Sequence, residues 1–103
     1  MTPEKYGTSD QLRRTCRAIV VLAGHTVNGL APGELAKAVD ASPSNITRLL
    51  ANLKQEGFVE KIEETGRWRL GPKVVQIALA FSQDLSRARA RLDEVSNRYT
   101  RLP

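Results

Sequence analysis

Three things are scarce in this 103-residue chain, and each scarcity removes a class of function. Cys16 is the only cysteine, so no internal disulfide can form, and a lone thiol fits a reducing compartment. His25 is the only histidine, and one His with one Cys cannot build a metal site of the usual four-ligand kind. Ser42 and Ser44 lack a histidine or lysine partner in any nucleophile motif, and no glycine-rich phosphate loop is present. The sequence therefore predicts no enzyme, no cofactor and no bound metal. The longest apolar stretch, Ala18–Ala23, is far short of a membrane span, and no signal peptide is evident. The expected setting is soluble and cytoplasmic, with no membrane partner.

What is present is positive charge, unevenly placed. Sixteen Lys and Arg face eleven Asp and Glu, a formal charge of +5, which suits a polyanionic partner. Residues 1–64 cancel. The whole excess lies in residues 65–103, where Arg67, Arg69, Lys73, Arg87, Arg89, Arg91, Arg98 and Arg101 outnumber Asp84, Asp93 and Glu94.

Periodicity divides the chain into four helices and a hairpin. Residues 1–7 read as a loose arm. Thr8-Ser9-Asp10-Gln11 has capping-box spacing, and Leu12, Cys16, Ile19, Val20 and Ala23 then recur at helical intervals, with Gly24 as a stop. That stripe predicts a buried Cys16 and puts Arg13, Arg14 and Arg17 outside, on phosphates or in solvent. Asn28-Gly29 is a turn, and Pro32 opens a short second helix with Leu35, Ala36 and Val39 inward; Ala31 offers it no capping oxygen. After Asp40-Ala41, Ser42-Pro43 caps and starts a third helix that buries Ile46, Leu49, Leu50 and Leu53 and closes at Gly57. Phe58–Ile62 and Arg67–Leu70 read as strands around a Glu63–Gly66 turn. Alternation sets Trp68 and Leu70 on one face and Arg67 and Arg69 on the other. Gly71-Pro72 starts a last helix that runs nearly to the end.

Two helices, a tight turn and a basic hairpin predict a mostly α fold with a small β-hairpin wing: a winged helix-turn-helix over 1–75, then a long C-terminal helix over 76–103. The third helix would show Ser44, Asn45, Thr47, Arg48, Ala51 and Asn52 outward, with Ser42 at its N-terminus. These side chains are short apart from Arg48, so the backbone can approach base edges. Asn suits adenine, Arg suits guanine, and Thr or Ala can meet a thymine methyl. The predicted DNA-binding residues are Ser42, Ser44, Asn45, Thr47, Arg48, Asn52, Arg67 and Arg69, the last two on backbone or minor groove.

Gly29-Leu30-Ala31-Pro32-Gly33-Glu34-Leu35-Ala36, Ser44-Asn45-Ile46-Thr47-Arg48-Leu49-Leu50, Leu53-Lys54-Gln55-Glu56-Gly57-Phe58-Val59 and Gly66-Arg67-Trp68-Arg69-Leu70-Gly71 together resemble the N-terminal domain of the IclR family of bacterial transcription regulators. The likeness runs over roughly residues 10–80. It implies a dimeric DNA-binding domain with the third helix in the major groove and the wing beside it. Ala31 departs from the family's usual Ser or Thr. The larger effector domain of that family is not seen in this sequence, so no small-molecule effector is expected.

In the last helix Ala78, Phe81, Leu85, Ala88, Leu92, Val95, Tyr99 and Leu102 alternate at three and four, a heptad pattern. Val74, Val75, Ala78 and Phe81 are expected to close the core of the winged domain. Phe81, Leu85, Leu92, Val95 and Tyr99 are then expected to form a homodimer seam, with Asp84–Arg89 bridges between chains. The resulting expectation is a nucleoid-associated, homodimeric, sequence-specific regulator of transcription, a repressor, with double-stranded DNA as partner. Two other readings stay open: a winged-helix adaptor that docks proteins through its last helix, and a low-specificity architectural DNA binder from a mobile element.

Overall fold

The computed structural model describes residues 9–101; the expected arm over 1–7, a Thr8 cap and Leu102 lie outside them. Its order is α1 (Asp10–Leu22), α2 (Pro32–Val39), α3 (Pro43–Gln55), β1 (Val59–Ile62), β2 (Arg67–Leu70) and α4 (Pro72–Thr100). Ser9 caps α1 by accepting from the Leu12 amide at 3.2 Å. Pro32 and Pro43 each occupy a first helical turn, where a missing N–H costs nothing. Asp40 ends α2 in the left-handed region, at φ 55°, which makes the link to α3 only a few residues long.

The core is Ala18 and Leu22 of α1, Leu35, Ala36 and Val39 of α2, Ile46, Leu49, Leu50 and Leu53 of α3, with Leu30 and Val59. Phe58, Trp68 and Leu70 pack against it from the hairpin. The buried stripes of α2 and α3 are those the periodicity predicts. The buried face of α1 is not. Leu12, Cys16, Val20 and Ala23 are exposed, while Ala18 and Leu22 are fully buried and Ile19 and Val21 half-buried. Small Ala18 lets α1 approach α2 and α3 closely. Turning that face inward leaves Cys16 in solvent and brings Arg14 partly under cover.

β1 and β2 pair antiparallel, Val59 opposite Leu70 and Ile62 opposite Arg67. A third short piece joins them: Leu30 and Trp68 exchange both backbone hydrogen bonds at 2.8 Å. Gly29 makes that approach possible. Its φ is +68°, and a Cβ there would collide with the Trp68 carbonyl oxygen.

α4 departs from the sequence-based expectation most. It has 29 residues, about 43 Å at 1.5 Å per residue, and none is buried. Val74 is half-buried, but Val75, Ala78 and Phe81 are exposed, so they do not close the core. β1 packs on α3 and β2 on α1, and α4 extends past them to give a molecule 70 Å long.

Candidate nucleic-acid interface

α3 presents the face a DNA reader needs. Ile46, Leu49, Leu50 and Leu53 hold one side in the core, so the opposite side is fixed in orientation. Ser44, Thr47, Arg48, Ala51 and Asn52 are exposed there, and Asn45 is half-buried. Their side chains are not equally available. Ser42 Oγ accepts from the Asn45 amide at 3.2 Å and lies 3.3 Å from Ser44 Oγ; its first task is the cap. Thr47 Oγ1 donates to the Pro43 carbonyl at 2.9 Å, which leaves its methyl and an acceptor lone pair outward. Arg48 and Asn52 make no side-chain hydrogen bond or ion pair among the described residues. No acidic residue occurs within α3, which carries Arg48 and Lys54.

α1 adds charge beside the α2–α3 turn. Arg14 Nε donates to the Asp40 carbonyl at 3.1 Å, and an Arg17 Nη donates to the Ala38 carbonyl at 3.4 Å. Both guanidinium groups thus satisfy carbonyls at the end of α2, where the helix dipole favours a cation. They are neither idle surface charges nor wholly free for phosphate.

The wing arginines differ most from α3. Arg67 Nε donates to the Asn28 carbonyl and an Arg67 Nη to the Gly29 carbonyl, both at 3.0 Å, and that Nη lies 3.4 Å from Glu34 Oε1. Arg69 Nε donates to Glu60 Oε1 at 2.7 Å and an Nη to the Val27 carbonyl at 3.1 Å. Both are half-buried. The sequence shows an alternating basic strand; it gives no sign that backbone carbonyls of the α1–α2 loop lie over the basic face. Glu34 Oε1 also accepts from the Ala31 amide at 2.9 Å, the one half of a capping box that an alanine N-cap still permits.

These elements define a winged helix-turn-helix, a DNA-binding fold. Residues 14–63 match the family model of the IclR helix-turn-helix domain, so the chain carries the DNA-binding domain of a transcription-regulator family. A putative IclR transcriptional regulator from Silicibacter sp. aligns with a TM-score of 0.55 and 27% identity, over 80% of this chain and 35% of its own. The chain therefore spans about a third of that relative's length. A mutant of S. aureus MepR, solved bound to an oligodeoxyribonucleotide, aligns with a TM-score of 0.55 at 18% identity, over 82% of this chain and 67% of its own. A second MepR mutant covers 97% of this chain at a TM-score of 0.52 and 17% identity. The MepR likenesses are of fold. No curated protein matches the chain. No helix among the described residues is long and apolar enough to cross a membrane.

Proposed function

We propose that this protein is a sequence-specific double-stranded DNA-binding regulator of transcription, acting as a homodimer, with α3 as the reading helix. The observation that carries this reading is the outer face of α3, which leaves Arg48 and Asn52 without a side-chain partner among the described residues, on a helix free of acidic residues. An arginine there can pair bidentately with guanine and an asparagine with adenine, while Ala51 and the Thr47 methyl can contact thymine methyls. Ser44 and Asn45 lie near the α3 N-terminus, where amide dipoles favour a phosphate. Ser42 contributes by holding that terminus in shape.

Dimerisation is supported by uncovered apolar surface. The chain exposes 8107 Å², against about 5,800 Å² for a compact monomer of its mass. Its radius of gyration is 20.0 Å, against about 13 Å for a compact chain of this length. The excess, roughly 2,300 Å² of polar and apolar surface together, follows from the extended α4 and leaves room for the about 800 Å² per partner that a standard interface removes. Phe81, Leu85, Leu92, Val95 and Tyr99 lie along one face of α4, all exposed, and Leu12 and Val20 form a second uncovered strip on α1. In this chain Asp84 Oδ1 pairs with Arg87 of its own helix at 3.2 Å, which leaves Oδ2 for an Asp84–Arg89 bridge to a partner. A dimer presents two α3 helices to a palindromic site. We propose repression as its effect, since a dimer seated on a promoter excludes other proteins by occupancy alone, in a cytoplasmic, nucleoid-associated setting.

Selection from a random duplex pool at physiological salt tests the reading. The expected result is an enriched palindrome, lost with Arg48→Ala. Salt-sensitive binding without enrichment would indicate an architectural binder, and no binding would leave the adaptor reading.

A further inference from the structure

The hairpin has the form of a DNA-contacting wing but not its electrostatics. Between Phe58 and Leu70 the basic residues Lys61, Arg67 and Arg69 are matched by Glu60, Glu63 and Glu64. The two arginines are bonded inward, to three carbonyls of the α1–α2 loop and to Glu60, with Glu34 beside Arg67. The tip, Glu63-Glu64-Thr65-Gly66, carries two exposed carboxylates. Like charges make such a tip a poor companion for phosphates. On α3 itself Arg48 and Lys54 meet no acidic residue.

The inward bonds also have a direction. Arg67 reaches Asn28 and Gly29 from β2, touches Glu34, and Glu34 in turn holds the Ala31 amide at the start of α2. Arg69 holds Val27 in the same loop. Leu30 pairs with Trp68 beside them. One strand therefore fixes the loop that sets where α2 begins, and α2 packs on α3.

We infer that the hairpin clamps the α1–α2 loop instead of contacting DNA, and that Arg67 and Arg69 are positioning residues which orient the helix-turn-helix unit. The inference rests on the DNA-binding reading and assigns the wing a role opposite to the one its basic alternation suggests. The clamp uses the planar guanidinium, whose Nε and Nη bond different carbonyls in a fixed fork, whereas the three donors of a lysine all sit on one nitrogen at the end of a flexible stem. A phosphate contact needs only the charge.

Arg67→Lys, Arg67→Ala and the double variant Glu63→Gln/Glu64→Gln separate the two roles. Binding of the full chain to its selected duplex and to a scrambled duplex is measured across a salt series, at a temperature where circular dichroism shows every variant folded. The clamp predicts that Lys and Ala variants lose specific affinity alike, by about tenfold, keep their affinity for the scrambled duplex, and retain the wild-type salt slope. Neutralising the tip leaves both affinities within about twofold. A salt slope that falls by about 0.9 in Arg67→Ala, or binding restored by Lys, would overturn it in favour of a phosphate contact. A lowered melting temperature with an unchanged ratio of specific to scrambled affinity would overturn positioning in favour of stability alone. Amide exchange at Leu30 reads the clamp without DNA: it accelerates in Arg67→Lys if the clamp holds the loop, and unchanged exchange would reject it. If the wild type binds no duplex, the DNA reading fails by itself and the exchange result still decides the clamp.

Discussion

The apolar stripes of α2 and α3 and the apolar stripe of α4 meet opposite fates. In α2 and α3 every residue of the stripe is buried: Leu35, Ala36 and Val39 in the first, Ile46, Leu49, Leu50 and Leu53 in the second. In α4 Phe81 is 67% exposed and Leu92 71%. A stripe says which face of a helix avoids water. Whether this chain can cover that face depends on how many other elements converge on it, and the short α2 and α3 are surrounded where α4 extends past everything else. The difference teaches that the first region is held by its own core, while the second is stabilised by burial only when another surface arrives.

Charging the seam tests that contrast most severely. Leu85→Glu with Leu92→Glu is expected to leave the winged unit folded by circular dichroism and to separate the proposed dimer in sedimentation velocity. Affinity for a palindromic duplex is expected to fall by on the order of 100-fold or more, the advantage that linking two sites confers. A similar change in the winged unit acts on the fold itself. Leu49→Ala removes a residue 1% exposed at the centre of α3 and is expected to cost about 2–5 kcal/mol in urea unfolding. Leu92→Ala, by contrast, leaves unfolding of the dissociated chain unchanged.

Smaller effects sharpen the comparison within the winged unit. Arg48→Ala is expected to weaken specific binding by about 1–3 kcal/mol, measured by fluorescence anisotropy, with no loss of thermal stability, because Arg48 has no side-chain partner among the described residues. Ser42→Ala is expected to lower stability by about 1 kcal/mol, since Ser42 Oγ accepts from the Asn45 amide, and to weaken DNA binding only in step with fraying of the α3 N-terminus. A large binding defect in folded Ser42→Ala would make Ser42 a direct contact as well as a cap.

Much of the architecture is legible in the sequence because local rules and tertiary packing agree there. Ser42-Pro43 starts α3 where capping chemistry places it, and Glu63–Gly66 turns between the expected strands. α1 was ambiguous for a definite reason: Leu12/Cys16/Val20 and Ala18/Leu22 are both helical stripes, and the larger residues favour the first. Packing chose the second because alanine at the crossing permits a closer approach. The candidate site shows the same division. The outer face of α3 follows from its buried face by geometry, so Ser44, Arg48 and Asn52 could be named from spacing alone. The bonding of Arg67 and Arg69 could not, because their partners are mainly backbone carbonyls, which every residue possesses and no sequence pattern marks.

By itself, then, the sequence determined the element order, the capped start of α3, the outer face of α3 and the helix that carries the heptad stripe. These depend on neighbours within a few positions, where spacing and side-chain chemistry act directly. The tertiary structure alone decided which side of α1 is buried, that Leu30 extends the hairpin, that α4 stands clear of the core, and that the basic strand turns its charges onto a loop. Each of these depends on which distant backbone arrives beside a given side chain, and pairings across 21 to 42 positions leave no local trace.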